Sequence, residues 1–420
     1  IVRKKTSQIL NNSPLFLYRF FTIYFIYIVS IGIVFPRGSV GTQLIGSLFF
    51  IFTFFHFFKL IKPIKLFNVV LFFVFYLTFL VAFSSDIYYS LSNLAATYIW
   101  VLILPISFLS INSISKYKKL LNSIAFIAIL YILNIILSTS LGIIGKSYSR
   151  EIFEVGNVFT EGLNSMAYLL VASPLLIHLN PKYRKWIILL SIIIFILVFV
   201  QLKRISIIAI LVGIMIHLVY SQNRSNIFFG LIFSLLLIFV AYPVFESTLN
   251  KQLAARERRL TTQNLEEEGR YQETFIVIDE IIYQPNPFVF FFGKEIFNSP
   301  GNYANGRFGR RQIHNDYNVI LHGSGLIGLL LFIFWPVPLF LFYKKIKRIA
   351  KYEFKDKKLF DYISVTFVIF LIIGYVLSIS GGITAILFNS IRVAIMGASL
   401  RILYEHYLIF NKNKTKKESV

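Results

Sequence analysis

Long apolar blocks of about 20 residues recur along this chain, for example "FFTIYFIYIVSIGIVF" and "KWIILLSIIIFILVFVQL". A helix rises about 1.5 Å per residue, so a block of that length covers a hydrocarbon core about 30 Å thick. In such a core every backbone N–H and C=O has to be satisfied within the segment itself, which makes each block a helix. The blocks fall at roughly 15–35, 40–58, 66–84, 94–110, 120–140, 163–179, 186–201, 204–220, 227–246, 318–343, 361–380 and 384–404. The expected fold is therefore an all-α polytopic membrane protein of about twelve transmembrane helices. It divides into an N-terminal bundle of about five helices (1–162), central helices (163–247), a long loop (248–317) and C-terminal helices with a basic tail (318–420). No small-residue cleavage site follows the first block, which reads as a membrane helix and not as a signal peptide.

Charge sorts the connections. Arg3, Lys4 and Lys5, then Lys59, Lys62 and Lys65, then Lys116, Lys118 and Lys119, then Lys182, Arg184 and Lys185 mark alternate connections. "YKKIKRIAKYEFKDKK" and the tail "NKNKTKK" continue the series, whereas "SSDIYYSLSN" and "EIFEVGNVFTEG" are poor in Lys and Arg. By the positive-inside rule both termini and the basic connections are cytoplasmic. The net charge of +23 is thus mostly a topology signal, with attraction to anionic lipid headgroups added. Its charges build no single basic stripe, so nucleic acid is not an expected partner. The chain has no cysteine, which excludes disulfides and thiolate chemistry.

Three groups of basic residues break the pattern by falling on the outer side. Lys203 and Arg204 sit in the tight connection "QLKRIS". A loop over roughly 248–313 holds Arg256, Arg258, Arg259, Arg270, Lys294, Arg307, Arg310 and Arg311, balanced by Glu266, Glu267, Glu268, Glu273, Asp279 and Glu280. Its aromatic stretch "PNPFVFFFGKEIF" is too short to span and suits the bilayer interface. "AARERR" reads as a solvated helix. Arg204 opens a helix at membrane depth, where a guanidinium needs a carboxylate or phosphate partner. Arg270, in "EEEGRYQE", has acidic neighbours that could satisfy it, which leaves its role open. Arg392, inside the last span, reads as snorkelling or paired with a neighbouring helix.

Of the six histidines, His56, His178, His217 and His406 read as structural. His314 stands where the long loop meets the next helix. Asn315 and Asp316 beside it can cap that helix through their side-chain oxygens, but capping gives no reason for a histidine. Imidazole in general accepts a proton near pH 6.5, which suits a general base. His322, deeper in the same helix, is open to either reading. No His-Glu-x-x-His pair, P-loop, dinucleotide fingerprint or Gly-x-Ser-x-Gly elbow occurs, and neither a metal nor another cofactor is expected. "GSGLIGLL" is a small-residue stretch for close packing.

"GRYQETFIVIDEIIYQPNPFVFFFGKEIF" followed by "HNDYNVILHGSGLIGLLLF" resembles the C-terminal signature of the bacterial O-antigen polymerase and O-antigen ligase family. "LKRISIIAILVGI" is similar to that family's Arg-Ser-like helix start, although Ile205 separates Arg204 from Ser206, and "LNSMAYLLVASPLL", with Asn164, is similar to its Asn-containing helix. The likeness covers roughly 160–345. The resemblance implies a metal-independent, inverting glycosyltransferase of a bacterial inner membrane, acting on the periplasmic face. In it His314 is the catalytic base, Arg204 and Arg270 bind pyrophosphate, and Arg310, Arg311, Asn315, Asp316 and Asn164 support them. The implied partners are undecaprenyl-pyrophosphate-linked oligosaccharides, membrane lipids and a chain-length regulator. A repeat-unit polymerase is the first expectation. A ligase that moves polymer onto a lipid A core is its rival, and a lipid-linked oligosaccharide flippase is the alternative from another class.

Overall fold

A computed structural model describes residues 15–27, 40–60, 65–141, 160–200, 204–220, 269–297, 303–304, 312–379 and 381–418, with single helical positions at 232, 246 and 250. Among the described residues every regular element is helical. In chain order these are α1 (Leu15–Tyr27), α2 (Val40–Leu60), α3 (Asn68–Val81), α4 (Ile87–Ser110), α5 (Ile114–Ser140), α6 (Thr160–Leu179), α7 (Arg184–Val200) and α8 (Arg204–Tyr220). They continue as α9 (Gly269–Ile282), α10 (Pro287–Phe292), α11 (Asp316–Phe334), α12 (Val337–Glu353), α13 (Lys357–Ser378) and α14 (Ile386–Glu418).

Five stretches, Ile87–Ser110, Ile114–Leu137, Asp316–Glu353, Lys357–Ser378 and Ile386–Thr415, are long and apolar enough to cross a bilayer. Large apolar side chains at helical spacing also face outward, such as Phe72, Phe75 and Phe79 on α3, a surface that suits lipid. The chain is an all-helical membrane protein. Twelve spans are not reached among the described residues, since several apolar helices are shorter and the block 227–246 lies almost wholly outside them.

Three boundaries differ from the hydropathy reading. α4 starts at Ile87, inside the expected connection "SSDIYYSLSN", because Asp86 caps it by accepting the Tyr89 N–H at 3.0 Å. The expected span 318–343 is two helices, parted at Trp335 and Pro336, where proline ends one helix and opens the next. α14 runs on to Glu418 through the basic tail.

α14 is the central post, with α4, α5, α6, α12 and α13 packed around it. Ser107 Oγ of α4 donates to Ala394 O of α14 at 2.6 Å, and Trp100 Nε1 of α4 donates to Ile383 O in the connection before α14 at 2.8 Å. Lys-rich segments gather at one end of the bundle. There Tyr18 bonds Lys116 O at 2.8 Å, Asn413 bonds Glu353 at 3.2 Å and His178 meets Asp356 at 2.7 Å. The remaining structural histidines have local roles, with His56 stacked on Phe16, His217 facing Val171 O and His406 stacked on Phe354.

The opposite end is built around a broken helix. Within α11, Gly325 has φ 63° and ψ −164°, so the helix is interrupted one turn beyond His322. The segment after α10 fills the break, so close that a Cβ on Gly293 would lie 2.5 Å from Ser324 N and one on Gly325 2.4 Å from Phe291 O. Two carbonyls at the break find donors: His322 O accepts the Lys294 N–H at 2.7 Å, and Ser324 O accepts the Tyr76 hydroxyl at 2.9 Å. Glu295 is held in turn by the Ser85 hydroxyl at 2.9 Å, and Ile296 O by the Ser90 hydroxyl at 2.9 Å. Part of the long loop is thus a helical hairpin keyed into α11. Gly325→Ala and Gly293→Ala combine a strained φ with a backbone clash, and each is expected to cost at least about 2 kcal/mol, read as a lowered unfolding temperature in detergent micelles.

Candidate functional site

α9 and α11 run side by side in the same direction, and a ladder of polar pairs joins them. At its mouth the His314 N–H donates to Glu273 Oε1 at 2.6 Å, while His314 Nδ1 lies 3.6 Å from Glu273 Oε2. One turn on, Asn318 Nδ2 donates to Thr274 Oγ1 at 2.8 Å. Further down, His322 Nε2 lies 3.6 Å from Glu280 Oε2. Between the polar rungs Val277, Ile281 and Leu321 pack with Ile313 and Tyr303. The spacing explains the register: Glu273 and Glu280 are seven residues apart and His314 and His322 eight, about two helical turns in each case.

The two pairs differ in access. The Glu273 side chain is 1% exposed, whereas that of His314 is 36% exposed, so a buried carboxylate backs an imidazole that solvent or substrate can reach. A carboxylate facing Nδ1 favours the tautomer with its proton there, which turns the lone pair of Nε2 away from Glu273. The His322 side chain is 1% exposed, and among the described residues neither of its ring nitrogens is within hydrogen-bond range of a partner. Burial pushes the Glu280 carboxyl up, but the His322 ring, the Lys294 ammonium at 2.7 Å and the Ala304 N–H at 2.6 Å outweigh it and hold it down to about 2. Glu280 therefore ties α9 to the hairpin, with the buried His322 ring of α11 beside it.

Asn315 caps α11 as expected, its Oδ1 accepting the Tyr317 N–H at 2.9 Å. Asp316 is not a second cap. Its buried Oδ1 accepts the Gly382 N–H at 2.8 Å and the Ile383 N–H at 2.9 Å, from the connection between α13 and α14. Gly381, at φ +85°, presses against the His314 carbonyl, where no side chain would fit. Asn389 holds that connection from α14 by donating to Gly382 O at 2.8 Å. Arg392 does not snorkel: it is buried, 3.3 Å from Asn389 Oδ1, with its guanidinium 5.8 Å from the Trp100 ring of α4.

No family model and no curated protein matches this chain.

The structure brings His314, Asn315 and Asp316 together with Glu273, which the sequence reading had counted only as a balancing acid. The signal for it was the matched two-turn spacing of the two glutamates and the two histidines. Arg270 lies on α9 one turn before Glu273, and its side chain lies outside the described residues. So do the side chains of Arg204, the first residue of α8, and Asn164 on α6, and the whole of Arg310 and Arg311. α6 ends beside Asp356 at the basic end and α7 returns, so α8 begins at the end that carries His314. Among the described residues no group of three or more His, Asp and Glu side chains is placed to hold a metal.

Asn315→Ala removes a cap and is expected to cost about 0.5–2 kcal/mol. Asp316→Ala strands two N–H groups, that of Ile383 buried and that of Gly382 half-buried, at about 1–3 kcal/mol for a buried one, so its loss of thermal stability in micelles should be clearly the larger. Equal losses would mean that Asp316 does not hold the 379–385 connection.

Proposed function

We propose that this chain is a lipid-linked oligosaccharide polymerase of the O-antigen polymerase and ligase kind, an inverting glycosyltransferase. The observation that carries the reading is the half-exposed His314 backed by the buried Glu273. In the proposed topology twelve helices cross the inner membrane of a bacterium, both termini and the basic end are cytoplasmic, and the long loop is periplasmic.

In the proposed reaction an acceptor sugar hydroxyl oxygen attacks the anomeric carbon of the donor. The bond from that carbon to the phosphate oxygen breaks, and the polyprenyl pyrophosphate leaves with the bonding pair. The hydroxyl proton passes to His314 Nε2. Glu273 holds the ring and stabilises the imidazolium, the role a buried carboxylate plays toward other catalytic histidines. Arg204 and Arg270 take the pyrophosphate oxygens, since a guanidinium fork matches phosphate and offsets the charge developing on the leaving group without a metal. A single displacement inverts the anomeric centre.

Transport has one observation in its favour, the break in α11, because transporters build their sites at broken helices. Here the hairpin fills the break, and Lys294 and Tyr76 already bond the carbonyls beside it. A glycosyl transfer site at the mouth of α11 accounts for more of the polar contacts.

Purified protein given labelled lipid-linked repeat units decides between the readings: a ladder of products supports a polymerase, transfer to a lipid A core a ligase, and no covalent product leaves transport. His314→Gln should lower turnover per folded molecule by about 10²-fold or more. Retention of most turnover by His314→Gln would overturn the assignment. Arg204→Lys keeps charge but loses the fork, and should stay strongly impaired.

A further inference from the structure

At the basic end, far from His314, the bundle carries a groove that the proposed chemistry does not use. α5 and α7 flank α6 and leave between them a space of about 410 Å³. Its walls are apolar, with Ile129 and Leu133 on α5, Trp186 and Leu190 on α7, and Leu176 of α6 as the floor. One end is polar. There Asn180 Nδ2 donates to Asn122 Oδ1 and to Leu176 O, both at 3.0 Å. Asn180 is 2% exposed, and its Oδ1 has no hydrogen-bond partner among the described residues, so an acceptor stands buried at the polar end of an apolar slot.

Charge collects at the same end. Lys118 and Lys119 lie one turn from Asn122 on α5, and Lys182, Arg184 and Lys185 follow Asn180 directly. These last three are exposed, and no ion pair joins any of the five to a carboxylate among the described residues. Asp356, which reaches α6 here, is already taken by His178 at 2.7 Å and by the Leu359 N–H at 3.0 Å. Tyr183 and Trp186 line the slot beside these cations, as aromatic side chains do at headgroup level.

Length identifies the occupant. From Asn122 to Leu133 the α5 wall rises about 16 Å. Half of a hydrocarbon core of about 30 Å is about 15 Å. The slot therefore runs from headgroup level to the bilayer midplane, the path of one acyl chain in one leaflet. A free phosphate would leave the apolar length unexplained, and a neutral lipid would leave the cations unexplained. We propose that this groove binds an anionic glycerophospholipid, with one acyl chain between α5 and α7 and its phosphate held by Lys182, Arg184 and Lys185. The buried Asn180 Oδ1 is the acceptor for a headgroup hydroxyl. This rests on the membrane-spanning fold and is independent of the glycosyl-transfer reading.

The test is native mass spectrometry of the full chain in detergent, with phosphatidylglycerol or phosphatidylcholine of identical acyl chains. Phosphatidylglycerol should be retained at least about fivefold more than phosphatidylcholine, and the double change Lys182→Gln with Lys185→Gln should lower its retention about thirtyfold, at about 1 kcal/mol for each of the two basic residues near an anionic headgroup. Ile129→Trp fills the slot from an exposed position that folding can tolerate, and should lower retention without touching the charges. Chain-brominated phosphatidylglycerol should quench wild-type fluorescence, with the quenching lost in Trp186→Phe. Equal retention of the two lipids, full retention by Ile129→Trp, or quenching that ignores Trp186 would each overturn the proposal.

Discussion

A backbone carbonyl shut away from water needs another donor, and the loop end of this protein is organised around that fact. Interrupting α11 at Gly325 releases carbonyls from the helical ladder. The hairpin that follows α9 brings the Lys294 N–H to His322 O, and Tyr76 of α3 brings its hydroxyl to Ser324 O. Once the hairpin is held there, α9 has little freedom along α11. The heptad between Glu280 and Glu273 then carries the fixed position of the inner pair out to His314. The break in the helix and the placement of the outer carboxylate are two ends of one arrangement.

The mouth of α11 is held from a second side. Asp316 gathers the N–H groups of Gly382 and Ile383, and the same connection is tied to α4 through Trp100 and to α14 through Asn389. Arg392 belongs to this network and not to a phosphate site: buried against Trp100 and Asn389, it braces the connection that braces His314. The general base proposed at His314 would gain from such rigidity, because proton transfer falls away steeply with misplacement of the accepting nitrogen.

The two ends of the bundle face different chemical problems. The loop end sets carboxylates beside histidines, with Glu273 bonded to the His314 N–H and Glu280 to Lys294 and the Ala304 N–H. At the basic end Lys and Arg stand around the polar end of the α5–α7 groove. For an all-helical membrane protein the second pattern suits an anionic leaflet surface, where charges do their work by remaining available.

Hydropathy alone determined that this chain is helical and membrane-embedded, because 20-residue apolar blocks admit few other folds. It also marked His314 as a residue in want of a reason, and Asn315 as a cap, since both follow from local sequence beside a helix start. Where helices begin and break was less legible: the early start of α4 depends on one capping aspartate, and the interruption at Gly325 on a hairpin from another part of the chain. The roles of Glu273, Glu280, Asp316 and Arg392 could not be read locally. Each is decided by groups that folding brings to it from outside its own helix, His314 for Glu273, Lys294 and Ala304 for Glu280, Gly382 for Asp316 and the Trp100 ring for Arg392, and a charged side chain's free energy depends on what faces it once it is buried. Local sequence sets which groups need partners; only the packing of α9, α11 and the 379–385 connection decides which partners they receive.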